Sequence, residues 1–476
     1  MNFHEHVLFQ AKTWPEKPAL ILSDRVVTYG MMGQGIRGVA RTLAAAGIGR
    51  GDVVGFQIDL PSWNLILSCA LAHLGAIGAA FGGQDPIDRL GVDFKAVIGQ
   101  TDLSARTRHR CLVMTERWFD LAPETRPVRF EDNAVIRVVF SSGTTGTPKP
   151  LAFTALALRE RLQVVRLSIG YRAVDRLMIL LGLSTAYGLV FALEALSCGA
   201  SLVLPPDTGA AIRMAALYGA EGMIASPRAA ELMIEDLRRS PAPMPALSMA
   251  VIGGGLLSPA LAEAVMAHLC KNAVCVYGST ETGAMAWAPL DRLRVPGAVG
   301  FIASTADTEI VDDQDRPVAA GIEGHVRTRS RADARPYGDA DPAAFGFDAE
   351  GWHRPGDLAR IEANGLLILT GRTDHLINSG GAKTAPETIE AAFAGAPGIT
   401  DIAVVAVPSA IGRPAIVAIV VAGPDYREAT LADWAARNVR SATFDRFVPV
   451  KAIPRTENGK IARGEVRRLA AAALGA

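Results

Sequence analysis

The 476 residues carry no net charge, with 48 Lys and Arg set against 48 Asp and Glu. That removes the basic footprint of a nucleic-acid binder and the polybasic patch of a membrane anchor, and leaves small molecules as the expected partners. Cysteine is scarce. The five, at 69, 111, 198, 270 and 275, form no CxxC, so neither a disulfide framework nor a zinc site is signalled and a reducing cytoplasm is expected. The eight histidines, at 4, 6, 73, 109, 268, 325, 353 and 375, show no metal-ligand spacing and none joins a GxSxG elbow, which removes metal hydrolysis and triad chemistry. His4, Glu5 and His6 precede any apolar stretch, the wrong order for a signal peptide, so export is not expected. A membrane span is also missing. The uncharged run 177–193 approaches the needed length, but Asp175, Arg176 and Glu194 bracket it. Gly182, Ser184, Thr185, Tyr187 and Gly188 interrupt it, so it reads as a strand, a loop and a buried helix.

What is present is an ordinary globular composition, 50% hydrophobic and 20% charged, long enough for two or three domains with a sizeable core. Apolar strand-like runs at 53–58, 135–140, 222–225 and 249–252 take turns with helical stretches at 63–74, 156–167, 229–237 and 260–269. Such alternation predicts an α/β fold of layered, largely parallel sheets. Beyond Gly351 the texture changes. Residues 359–369 read as a hairpin around Asn364-Gly365, and residues 371–375 as a polar joint. A unit of about 100 residues follows, with strands at 402–407 and 416–421, helices near 387–393 and 431–439, and a terminal helix at 461–474. The boundary is expected at Asp374, giving a large domain 1–373 and a small α+β domain 374–476.

Directly after the strand ending at Phe140 stands Ser141-Ser142-Gly143-Thr144-Thr145-Gly146-Thr147-Pro148-Lys149. Hydroxyls, glycines and a lysine in one loop supply the N–H, O–H and cationic donors a polyphosphate needs; the same residues also suit a flexible surface turn. The loop is not a Walker A motif, because Pro148 and Pro150 flank the lysine. Gly33-Gln34-Gly35-Ile36-Arg37-Gly38 matches GxGxxG, yet no buried strand runs into it, so a helix with small faces is expected there instead. Tyr277-Gly278-Ser279-Thr280-Glu281-Thr282-Gly283 follows a short strand; Glu281 suits a Mg²⁺ that bridges phosphate oxygens, or a solvated turn. Asp357 and Arg372 suit the paired hydroxyls of a ribose, or a surface ion pair. Lys460 closes Pro454-Arg455-Thr456-Glu457-Asn458-Gly459-Lys460.

In this order the segments 141–149, 277–283, 351–357, 371–381 and 454–460 resemble those of the AMP-forming adenylating superfamily, which groups acyl-CoA synthetases, peptide-synthetase adenylation domains and firefly luciferase. The resemblance spans nearly the whole chain. It implies a large domain that binds ATP and a carboxylic acid, and a small domain that rotates about a hinge at Asp374. Ser141, Ser142, Gly143, Thr144, Thr145, Gly146, Thr147 and Lys149 would hold the β- and γ-phosphates, Tyr277 would stack near adenine, and Asp357 and Arg372 would hold the ribose. Thr280 would touch the adenylate, Glu281 would bind Mg²⁺, and Lys460 would contact the carboxylate and α-phosphate. Gly253, Gly254 and Gly255 match the glycine run beside the acyl group, and Gly381 matches the glycine beside the pantetheine tunnel of coenzyme A.

The sequence also departs from that pattern. Thr185 stands where many relatives carry a His or aromatic residue two positions before Tyr187, which bears on the acyl pocket. Gly278 replaces the Trp of acetate enzymes, implying room for a larger acid. No acidic residue lies between Arg176 and Leu193 to meet a substrate ammonium, which disfavours an α-amino acid. The expected activity is ATP-dependent activation of a medium, branched or aromatic acid, with transfer to coenzyme A. Delivery to a carrier-protein phosphopantetheine or another nucleophile is the first alternative, and a non-catalytic nucleotide-binding protein the second. No feature of the sequence sets the oligomeric state.

Overall fold

The computed structural model describes residues 2–84, 86–120, 127–141, 148–168, 174–240, 244–373, 377–379, 382–393, 395–408, 414–439, 442–456 and 459–474. The chain forms a large N-terminal α/β domain and a small C-terminal α+β domain. By contacts its described residues divide into a larger unit, within 1–143, 147–308 and 328–353, and a smaller one, within 309–327 and 354–476.

In the larger unit one sheet runs, in spatial order, Ala298–Ile302, Gly283–Pro289, Ala273–Ser279, Met249–Gly253, Gly222–Ala225, Arg176–Leu180, Ser201–Val203, Pro18–Ile21 and Val26–Thr28. From Ala273–Ser279 to Pro18–Ile21 every pairing is parallel. A second sheet orders Arg335–Pro336, Lys149–Thr154, Val135–Ser141, Ile77–Ala80, Val53–Gln57, Ala96–Gly99 and Cys111–Val113. Parallel strands buried on both faces read as continuous apolar runs, which is why the sequence marks them so clearly.

The uncharged run at 177–193 resolves into the strand Arg176–Leu180 and the helix Ala186–Cys198, and no helix among the described residues is long and apolar enough to cross a membrane. The GxGxxG segment lies inside the helix Tyr29–Ala45. A Cβ on Gly38 would stand 2.7 Å from the carbonyl oxygens of Trp118 and Asp120, and one on Gly33 2.7 Å from the Ala11 Cβ. These glycines let other chain segments approach the helix closely.

The smaller unit contains the antiparallel pair Asp357–Ile361 and Leu366–Arg372, turned at Gly365 with φ 85°. It also holds a three-stranded sheet of Ile399–Val407, Ala415–Ala422 and Arg446–Val450. Alternation splits that sheet in two. Val404, Ile416, Ala418 and Val420 face one apolar cluster with Ile389, Phe393 and Leu431; Ala403, Val405, Val417 and Ile419 face another with Val466 and Ala470. The helices Pro386–Ala392, Glu428–Asn438 and Arg463–Leu474 supply those partners.

Candidate active site

Ligands in parallel α/β sheets gather beyond the carboxyl ends of the strands, and the acyl-pocket candidates stand there. Gly253 ends its strand beside Val276, and Gly254 follows at φ 82°. A Cβ on Gly253 would lie 2.6 Å from the Tyr187 hydroxyl oxygen and 2.8 Å from the Val276 carbonyl; one on Gly255 would meet Pro227 at 3.5 Å. Tyr187 packs edge-on against Phe191 at 5.0 Å, and its buried hydroxyl finds no partner among the described residues. Burial pushes that phenol far above its usual range.

Two pocket candidates turn out to have local duties. Thr185 caps the helix Ala186–Cys198: its hydroxyl accepts from the Gly188 N–H at 3.1 Å and donates to the Gly182 carbonyl at 2.8 Å. A capping side chain is worth about 1 kcal/mol, which gives the threonine a reason unrelated to an acid. Gly278 sits at a register shift opposite Ala284, where a Cβ would stand 2.0 Å from the Gly283 carbonyl oxygen. The missing side chain thus has a reason in the hairpin backbone as well.

The phosphate-loop candidate hangs between Val135–Ser141 and Lys149–Thr154, whose antiparallel register sets Lys149 opposite Ser141. Ser141 is buried. Lys149 donates to the Ala344 carbonyl at 2.7 Å and lies 5.4 Å from the centre of the Phe345 ring. Ser142, Gly143, Thr144, Thr145, Gly146 and Thr147 lie outside the described residues.

Tyr277, Thr280 and Glu281 ride on a hairpin between Ala273–Ser279 and Gly283–Pro289 that closes with Ser279 opposite Gly283. Ser279 and Thr282 share a hydroxyl–hydroxyl bond of 3.0 Å, and Gly283 takes φ 75°. Beneath the turn lies Arg161, 5% exposed, from the helix Ala155–Ser168. Its Nη2 donates to the Thr280 carbonyl at 3.0 Å and the Glu281 carbonyl at 2.9 Å, and its Nε to the Ala332 carbonyl at 2.7 Å. The Ala334 N–H adds a second donor to the Glu281 carbonyl at 2.6 Å, and the guanidinium lies over Phe153 at 4.2 Å. The backbone is pinned, while the Glu281 carboxylate makes no hydrogen bond among the described residues and is felt electrostatically by Arg161. Among the described residues no group of three or more His, Cys, Asp or Glu could hold a metal; a single carboxylate such as Glu281 suits an ion completed by water and substrate oxygens, the habit of Mg²⁺.

In the smaller unit Asp357 and Arg372 pair across their hairpin, Nη1 to Oδ1 at 2.8 Å, with the carboxylate the more buried. Gly356 (φ 79°) precedes the pair, and its carbonyl accepts from the Thr373 N–H at 2.8 Å. Lys460 is exposed on a turn closed by the Arg455–Ile461 bridge, with its carbonyl accepting from the Thr456 N–H at 2.8 Å. Arg455 ties this turn down through the Gly459 carbonyl at 2.9 Å and Asp401 at 2.7 Å. Just beyond, buried Arg463 binds Glu390, Glu387 at 3.1 Å and the Val404 carbonyl at 2.9 Å. Asp374 and Gly381 lie outside the described residues.

The sequence reading gives no role to Arg161, Arg455 or Arg463. Arg161 did leave a trace: it takes a position on the apolar stripe of its helix, between Leu158, Leu162 and Val165, all buried.

A family model described as AMP-binding enzyme matches residues 8–337, and one described as AMP-binding enzyme C-terminal domain matches residues 388–460. The chain is 24% identical to a medium-chain fatty-acid–CoA ligase of Escherichia coli, over 96% of this chain and 88% of the relative. It is 27% identical to a sulfoacetate–CoA ligase of Cupriavidus necator, over 96% of each. Among solved structures, ATP-bound MatB from Rhodopseudomonas palustris superposes with a TM-score of 0.84 over all of both chains at 19% identity.

Proposed function

The chain belongs to the AMP-binding enzyme family, and from its AMP-forming chemistry we propose that it joins a non-amino carboxylic acid to coenzyme A through an acyl adenylate. The acid is of medium, branched or aromatic type. Support comes above all from the 279–283 hairpin: its carbonyls are held by Arg161 and Ala334, while the side chains of Thr280 and Glu281 are left to meet a ligand.

A carboxylate is a poor acylating agent, and its attack on the α-phosphate of ATP expels pyrophosphate and leaves an anhydride from which AMP departs readily. Charge shifting through that step must be met by preorganised cations and donors. Lys460 contacts the carboxylate and α-phosphate, and Ser141 to Lys149 hold the β- and γ-phosphates. Tyr277 stacks near adenine, and Asp357 and Arg372 hold the ribose. Glu281 would hold Mg²⁺, which would supply neutralising charge. Tyr187 and Gly253 to Gly255 line the acyl pocket. A larger domain 1–373 and a smaller one 374–476 turn about Asp374 between the two half-reactions.

The test is pyrophosphate release from Mg-ATP across a panel of carboxylic acids, with and without coenzyme A. Release that depends on one acid, with thioester forming when coenzyme A is added, is the expected result. Release without thioester points to a carrier protein or another acceptor, and a broad panel without release counts against adenylation. Lys460→Ala is expected to lower adenylate formation by about 10²–10³-fold while sparing transfer from a supplied acyl adenylate. Equal loss in both half-reactions would remove Lys460 from its role.

A further inference from the structure

Lys149 opens the strand that runs to Thr154, directly after the phosphate loop, and its side chain reaches a partner 195 positions further along the chain. Nζ donates to the Ala344 carbonyl at 2.7 Å and stands 5.4 Å from the centre of the Phe345 ring, within cation–π range. An ammonium has three donors. Ala344 takes one, and no other acceptor meets Lys149 among the described residues, so two remain for an anion.

The surface that receives the ammonium is itself held in place. Asp341 accepts from the Ala343 N–H at 3.0 Å and caps the short turn Pro342–Phe345. Gly346, at φ 81°, and Phe347 close the far end through the carbonyls of Ala343 and Pro342, each at 3.0 Å. Upstream, Arg335 and Pro336 pair with Ala152 and Leu151, and the Tyr337 N–H donates to the Pro150 carbonyl at 3.1 Å. The segment is therefore hydrogen-bonded to the strand that bears Lys149. Phe345 packs against the main apolar core, which fixes its ring. A lysine is a point charge on a flexible four-carbon stem. Ordering such a stem as phosphate binds subtracts from the affinity, and a cation already in place avoids that loss.

We propose that Phe345 and the Ala344 carbonyl are positioning groups for Lys149, holding its ammonium at the edge of the phosphate loop so that ATP meets a cation whose place is already set. The inference rests on the reading of Lys149 as a phosphate ligand.

The test is a double-mutant cycle on the full chain: Phe345→Leu, Lys149→Met and both together. Calorimetry reads Mg-ATP binding without acid, and pyrophosphate release reads KM and kcat. Phe345→Leu is expected to weaken ATP binding, and to raise KM for ATP, by about two- to fivefold with KM for the acid unchanged. Phe345→Tyr, which keeps the ring face, should retain the affinity. In the Lys149→Met background Phe345→Leu should change nothing further. Equal effects in both backgrounds, or wild-type ATP affinity in Phe345→Leu beside a weakened Lys149→Met, overturn the proposal. Wild-type affinity in Lys149→Met itself removes the phosphate role of Lys149, and the proposal with it. If Phe345→Leu fails to fold, Asp341→Ala, at an exposed position, loosens the same carbonyl and carries the same expectation.

Discussion

Arg161 works through backbone rather than through substrate: its donors fix where the Thr280 and Glu281 carbonyls lie, and so where their side chains start. The turn that presents the Ala332 carbonyl to it is built by Asp333, which accepts from the Ser330 N–H at 2.9 Å and the Ser330 hydroxyl at 3.0 Å. Loss of solvent raises the Asp333 carboxyl to about 6, against the opposing pull of those hydrogen bonds, Arg161 and Arg335. A carboxyl raised on folding contributes stability that is complete below its unfolded value, near 4, and is lost as pH rises through about 6. Urea unfolding is therefore expected to show wild-type stability falling between pH 4 and 7 by on the order of 2 kcal/mol relative to Asp333→Asn. Parallel curves for the two proteins would remove this role. The sequence showed only that Arg161 lies on the apolar stripe of its helix; which carbonyls it meets was not legible, because they stand 119 or more positions away.

Elements were legible where period and punctuation agreed. The strands at 222–225 and 249–252, the hairpin around Asn364-Gly365 and the terminal helix all stand within a few residues of expectation. Loops were read less well, since a glycine or threonine there serves a ligand and a neighbouring backbone equally; Gly278 and Thr185 showed the second use. The turn bearing Lys460 belongs to the same class. It is anchored by Arg455 on one side and Arg463 on the other, so its placement depends on the helix Pro386–Ala392 that supplies Glu387 and Glu390. Burial first, and the Glu387 carboxylate beside it, raise the Glu390 carboxyl, while Arg463 and the Val404 N–H oppose the rise. Arg463→Met is expected to destabilise the smaller unit by about 3–5 kcal/mol, because two carboxylates lose their buried partner. Hydrogen exchange on the full chain would show this as faster exchange in 399–407 and 463–474; unchanged protection there would contradict it.

At the scale of the whole molecule the proposed chemistry divides between two half-reactions. A side chain beside the thiol's path is expected to separate them: Gly381→Leu should retain adenylate formation and lose thioester formation, measured as pyrophosphate release against thioester yield. Loss of both steps would place Gly381 elsewhere. The larger unit also couples its own parts through one helix. Ala155–Ser168 continues directly from the strand that begins at Lys149, and its Arg161 grips the turn that carries Glu281. Thirteen residues of continuous chain, 149–161, and one guanidinium therefore join two motifs that lie more than a hundred positions apart in sequence. The first half of that helix is a tether: it fixes the backbone of the Glu281 turn to the strand that bears Lys149.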